Sequence, residues 1–226
     1  MKTESFLNQS IFKILILSSV CLYFLPNLGA HDKIGPQWLG LAIINVLGFF
    51  YLIYVRKSIS FISDLFSNKV VLSYSLFIII SLASIIKSDN LPESIITFSN
   101  FFSIFFCFLN LIILNTFLIN PRKFFLDLVL LMFIGEIGLA FYPMIQEIYF
   151  TGKVTARNFA FIGAASNVNV TSFSIAMKLP FVLYYLDIRN KIFSKFLILV
   201  LISISFFVII ILNSRGAFLG VLLVFL

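Results

Sequence analysis

Phe196–Leu212, FLILVLISISFFVIIIL, is a run of 17 residues without a charge, held between Lys195 and the polar group Asn213-Ser214-Arg215. A helix that crosses the hydrocarbon core of a bilayer needs about 20 predominantly apolar residues. The run therefore reads as a membrane span. The rest of the chain has the same character: 226 residues are 61% hydrophobic and 11% charged, with a mean hydropathy of +1.12. A soluble domain is about 45–50% apolar and about 25% charged. This chain has too little polar surface to cover itself in water, so a soluble globular domain is excluded. Disorder is excluded as well, because disordered segments are polar and poor in aromatics. The thirty Phe residues read as lipid-facing and helix-packing bulk.

Six further apolar runs repeat the pattern. They are Phe12–Leu28, Trp38–Val55, Val70–Ile86, Ile95–Leu118, Phe124–Pro143 and Val170–Leu186. After Arg215, Gly216–Leu226 begins an eighth run of eleven residues, about half of what a crossing needs. The expectation is an all-α, polytopic transmembrane helical bundle with seven spans and a truncated eighth. Residues 1–226 then form a single transmembrane domain, expected to be the N-terminal part of a longer protein. The first run has a lysine ahead of it and Gly29-Ala30 behind it, as a signal peptide would. Leu28 stands where cleavage wants a small residue, so a retained first helix is the better reading.

The net charge of +7 reports topology rather than nucleic acid, because the charges sit between apolar runs. With the N-terminus in the cytoplasm, the cytoplasmic segments hold Lys2, Lys13, Arg56, Lys57, Lys69, Arg122, Lys123, Arg189, Lys191 and Lys195. The external loops hold Lys33, Lys87, Lys153 and Arg157. That bias obeys the positive-inside rule. The longest connection, Met144–Asn169, has 26 residues and faces outside in this scheme. Its first part, Ile145–Phe150, is suited to the interface. Its second part is small and polar.

Four features carry candidate chemistry. Arg215 lies at an outer helix end, against the charge bias. It has two readings: snorkelling to the headgroups, or paired hydrogen bonding to a phosphate. Gly216 and Gly220, four apart, permit close helix packing. Glu136 and Lys178 fall on consecutive spans, about 10 and 12 Å below the outer face at 1.5 Å per residue. Intramembrane charges are usually paired, so an ion pair facing the bundle interior is expected, either as helix glue or as part of a site. Arg157, in the long loop, is a solvated cation or a contact to an anionic or glycan group. Asn100, Asn110 and Asn115 in the fourth span read as bonds to neighbouring helices. Cys21 and Cys107 lie inside apolar runs with no metal or disulfide spacing, and His31 is the lone histidine, so no metal and no cofactor are expected. There is no phosphate-binding glycine loop and no serine nucleophile in its usual setting.

Ser214-Arg215-Gly216-Ala217-Phe218-Leu219-Gly220, closing one span and opening the next, resembles the signature of the bacterial O-antigen ligase and O-antigen polymerase family. A second stretch is similar to that family: Gln146, Arg157, Gly163, Asn167-Val168-Asn169 and then Leu179-Pro180-Phe181. Val168 stands where proline is common. The resemblance covers about Ile134–Leu226, with residues 213–226 opening the ligase-related region. It implies a glycosyltransferase-C-like helical fold in the bacterial inner membrane. It also implies a polyprenyl-diphosphate-linked glycan donor handled at the extracytoplasmic face, with a glycan or lipid as acceptor. Arg215 would hold the donor's diphosphate, with Arg157 beside it. Two other readings stand beside this one, a transporter or flippase of lipid-linked saccharide and a non-catalytic membrane scaffold.

Overall fold

The computed structural model describes residues 2–25, 34–55, 65–152 and 167–225, and among them there are helices and turns but no strand. The helices are α1 (Lys2–Cys21), α2 (Ile34–Val55), α3 (Lys69–Ser84), α4 (Leu91–Thr116), α5 (Pro121–Thr151), α6 (Val168–Asp187), α7 (Ile192–Ile211) and α8 (Arg215–Phe225). Among the described residues, five segments are long and apolar enough to cross a membrane: Gly35–Tyr54, Lys69–Lys87, Leu91–Thr116, Pro121–Thr151 and Ile192–Ile211. Their outward surface is aliphatic and aromatic, with Ile80 67%, Phe50 64% and Ile79 62% exposed. Such faces are compatible with lipid and not with water. The chain is a multi-pass membrane protein.

Local signals explain where the helices start. Asn68 caps α3 by accepting the Val70 N–H at 2.9 Å, and Asn90 caps α4 by accepting from Glu93. Pro92 and Pro121 occupy first-turn positions, where the missing N–H costs nothing. Asn167 caps α6 by accepting from Asn169 N at 2.9 Å and Val170 N at 3.3 Å. Val168 thus takes the first helical position, the one most tolerant of proline.

The chain divides into two compact units, Met1–Ile119 and Asn120–Leu226. In the first, α4 is the hub against which α1, α2 and α3 pack. Two amides lock α2 to α4: Asn45 Nδ2 donates to the Ser103 carbonyl at 2.9 Å, and Asn110 Nδ2 donates to the Asn45 carbonyl at 3.1 Å. Both side chains are buried, at 5% and 6% exposure. Gln9 ties α1 to the far end of α4 by donating to the Phe117 carbonyl and accepting from Ile119 N. Phe12 stacks on Phe117 nearby, with ring centroids 4.9 Å apart.

In the second unit α6 is the hub, contacted by α5, α7 and α8. Its fully buried residues include Ile175, Leu179, Thr171 and Ser172. This buried face carries polar residues, while Phe173, Met177 and Phe181 stand exposed on the other, so α6 has a lower hydropathy than α7. Two differences from the sequence expectation concern this unit. Helix α5 does not stop at Pro143 but continues two turns to Thr151, ending at Gly152 with φ of 68°. Ile145–Phe150 is therefore helix, not the start of a loop. The proline removes only the bond to the Leu139 carbonyl, and membrane helices tolerate such a gap. Second, Gly216 and Gly220 are not a packing seam among the described residues: a Cβ built on either meets none of their atoms within 4 Å. Ala217 and Val221 on the same helix are buried instead, at 1% and 6% exposure.

The α2–α4 amides make a specific prediction. Interhelical hydrogen bonds in membranes are worth about 0.6 kcal/mol on average and about 1.7 at most. Asn110→Leu should lower unfolding stability in mixed detergent by that amount. A variant as stable as the wild type would show that the amide contributes nothing.

Candidate functional site

The polar interior of the second unit centres on Glu136. Its carboxylate, from the middle of α5, is fully buried among apolar residues including Phe133 and Ile137. Lys178 on α6 donates to Oε2 at 2.9 Å and to Oε1 at 3.0 Å. Ser174, one turn before Lys178, donates to Glu136 Oε1 at 2.7 Å and accepts from Lys178 Nζ at 2.6 Å. The Ser174 carbonyl lies 3.2 Å from the same ammonium. An ammonium has three N–H donors and a carboxylate about four lone-pair sites, so the cluster satisfies nearly all of itself. It is a closed arrangement in which both charges are compensated. Its chemical capacity is to fix the register of α5 on α6, antiparallel. Spacing along the two spans pointed to Glu136 and Lys178. Ser174 was not singled out, because a lone serine in an apolar run has no distinguishing signal.

The α7–α8 junction holds the Arg215 site. Helix α7 ends at Ile211, and Asn213 takes φ of 50°, the left-handed region in which Asn is several-fold enriched. Ser214, 4% exposed, sits just ahead of α8, and its carbonyl accepts the Phe218 N–H at 3.1 Å. The chain thus reverses within three residues, and the first N–H groups of α8 point out of its end without intrahelical partners. Arg215 is exposed there, and no ion pair or hydrogen bond engages its side chain among the described residues. A cavity of about 370 Å³ adjoins it, with Asn213 and Ser214 at the polar end and Ile210, Phe218, Leu219 and Leu222 along the rest. Among the described residues no carboxylate or histidine lines it. Helix α6 also begins at this end and runs against α8, so two helix N-termini with their positive dipole ends face the same way.

Of the other residues singled out, Arg157 and Gly163 lie outside the described residues. Gln146 donates to Tyr142 Oη at 2.7 Å on the same helix. Asn110 bonds α2. Among the described residues no group of three or more His, Cys, Asp or Glu side chains comes together. Compared with protein-family models, with curated proteins and with solved structures, the chain matches none of them.

The ion pair carries its own prediction. Removing one partner of a buried pair costs about 3–5 kcal/mol, because the other charge is left uncompensated. Lys178→Met should destabilise the protein by that amount, and Glu136→Gln added to it should restore much of the loss. Strict additivity of the two single effects in detergent unfolding would mean that the groups do not interact.

Proposed function

We propose that this protein is a bacterial inner-membrane glycan ligase or polymerase of the O-antigen type. In this reading it crosses the membrane seven times before Arg215, with its N-terminus in the cytoplasm. It takes a saccharide from a polyprenyl-diphosphate-linked donor at the extracytoplasmic face and passes it to a glycan or lipid acceptor in cell-surface polysaccharide synthesis.

One observation carries the reading: the site at Arg215 is amphiphilic. An unpaired guanidinium and the open N-terminus of α8 stand at one end of a cavity whose other walls are Phe218, Leu219 and Leu222. A diphosphate needs the first and a polyprenyl chain needs the second. Backbone N–H groups at a helix start favour an anion, and a guanidinium forms paired bonds to phosphate oxygens. The Ser214–Gly220 resemblance points to the same ligand.

The chemistry follows from charge. An acceptor hydroxyl oxygen bonds to the anomeric carbon as the bond from that carbon to the diphosphate oxygen breaks, and the hydroxyl proton leaves to water or to the departing diphosphate. Negative charge then accumulates on the departing diphosphate. Fixed donors aimed at that charge lower the barrier, and removing one such donor from an enzyme typically costs about 10²–10³ in rate. The open space at Gly216 lets a ligand approach the backbone closely. The transporter reading, which looks to a helix broken near the intramembrane charge, gains no support: α6 continues through Pro180 to Asp187.

Two substitutions test the proposal in a transfer assay with purified protein and a polyprenyl-diphosphate-linked glycan. Arg215→Lys keeps the charge and loses the fork, so activity should fall about 10²-fold or more. Gly216→Ala should leave folding intact, since its Cβ meets no neighbour among the described residues, while it weakens donor use. Full transfer activity in Arg215→Lys would overturn the diphosphate-holding role.

A further inference from the structure

The end of the second unit away from Arg215 carries a second cavity, about 290 Å³, between the first turns of α5 and the last turns of α6. Arg122, Lys123, Asp127 and Arg189 supply its polar side, three cations to one carboxylate. That carboxylate is already engaged. Tyr185 Oη donates to Asp127 Oδ1 at 2.9 Å, and Arg189 Nη2 lies 3.8 Å from the same oxygen. Arg189 also donates to Tyr185 Oη, and its guanidinium carbon sits 4.3 Å from the centre of the Tyr185 ring. Tyr185 is 8% exposed, so this trio gives the cavity a fixed floor.

The cations exceed what Asp127 can use. Arg122 and Lys123 are exposed and have no ion-pair or hydrogen-bond partner among the described residues. Arg189 commits one nitrogen to Tyr185 and keeps most of its five N–H donors. The far wall differs in kind. Tyr184 and Ile188 line the cavity, and one turn deeper along both helices Phe125 and Phe181 stand 50% and 43% exposed as an edge-to-face pair. Cations at the helix ends thus lead directly onto an aromatic surface on the lipid-facing side.

The geometry points to a binding site for the phosphate of an anionic phospholipid, with Arg122, Lys123 and Arg189 on the headgroup and an acyl chain over Phe125 and Phe181. A soluble phosphate would meet the same cations and leave the aromatic wall unused, so the lipid is the ligand that uses the whole cleft. Basic pockets between membrane helices are suited to such headgroups, and each Lys or Arg near an anionic surface strengthens attraction about fivefold. The site is independent of whatever is bound at Arg215, and it has a structural consequence. An occupied cleft would hold the start of α5 against the end of α6, two turns or more beyond the Glu136–Lys178 pair.

The test uses the full chain in nanodiscs of mixed phosphatidylcholine and phosphatidylglycerol, with native mass spectrometry to count retained lipids. Wild-type protein should retain phosphatidylglycerol preferentially. Arg122→Gln with Lys123→Gln should reduce that preference about 25-fold and leave thermal stability in pure phosphatidylcholine unchanged, since neither side chain has a protein partner to lose among the described residues. Equal retention by the wild type and the double variant would overturn the site. Displacement of phosphatidylglycerol by inorganic phosphate at the same concentration would overturn the lipid assignment in favour of a soluble anion.

Discussion

A buried ion pair sets the geometry of the second unit. Glu136 and Lys178 meet at 2.9 Å inside a bundle whose outer surface belongs to lipid. Neither charge is tolerable there alone. Packing between apolar faces in a membrane gains little from the hydrophobic effect, because lipid tails are as apolar as leucine. Sliding α6 by one turn along α5 would cost some van der Waals contact. It would also leave a carboxylate and an ammonium uncompensated in hydrocarbon, which is far worse. The pair therefore fixes register, and register fixes what lies at the two ends of α6. At one end Asn167 caps the helix beside the start of α8. At the other, Tyr185 reaches Asp127 and Arg189.

The two ends differ in a way that bears on function. Both combine cations with an apolar wall, and they differ in charge and in backbone. The Arg215 end has one free guanidinium and the open N-terminus of α8, an arrangement with few charges and directed donors. The Arg122 end has several cations around one engaged carboxylate, a diffuse positive field suited to a headgroup. A protein that acts on a lipid-linked substrate at one face and is held by anionic lipid at the other would be built this way.

The helices were largely legible from the chain because hydrocarbon imposes one rule, about 20 apolar residues per crossing. Phe196–Leu212 and Val70–Ile86 lie within a few residues of α7 and of α3 with its closing turn. The ends were less legible where the reading treated proline as a stop. Pro143 sits inside α5, since the membrane protects a helix from the competition with water that would end it in a soluble protein. The Gly216–Gly220 spacing suggested a packing seam, yet those positions look away from the neighbouring helices, and the adjacent Ala217 and Val221 carry the contact. Spacing alone gives a face, and which way that face turns is decided by the tight reversal at Asn213. Glu136 and Lys178 stood out because charge is rare in a span. Asn45, Ser174 and the Asp127–Tyr185–Arg189 trio did not. In the sequence Arg189 reads as a topology signal, and an amide, a serine or a tyrosine within an apolar run marks nothing until a partner helix is placed beside it.

The central claim is that the cleft beside Arg215 receives a diphosphate on a polyprenyl chain. Photocrosslinking tests it most directly, with a photoactivatable polyprenyl diphosphate and peptide mapping of the adduct. The account predicts adducts on the wall formed by Phe218, Leu219 and Leu222, suppressed by unlabelled polyprenyl diphosphate and hardly at all by the corresponding polyprenol. Adducts confined to other segments, or equal suppression by the uncharged alcohol, would contradict it.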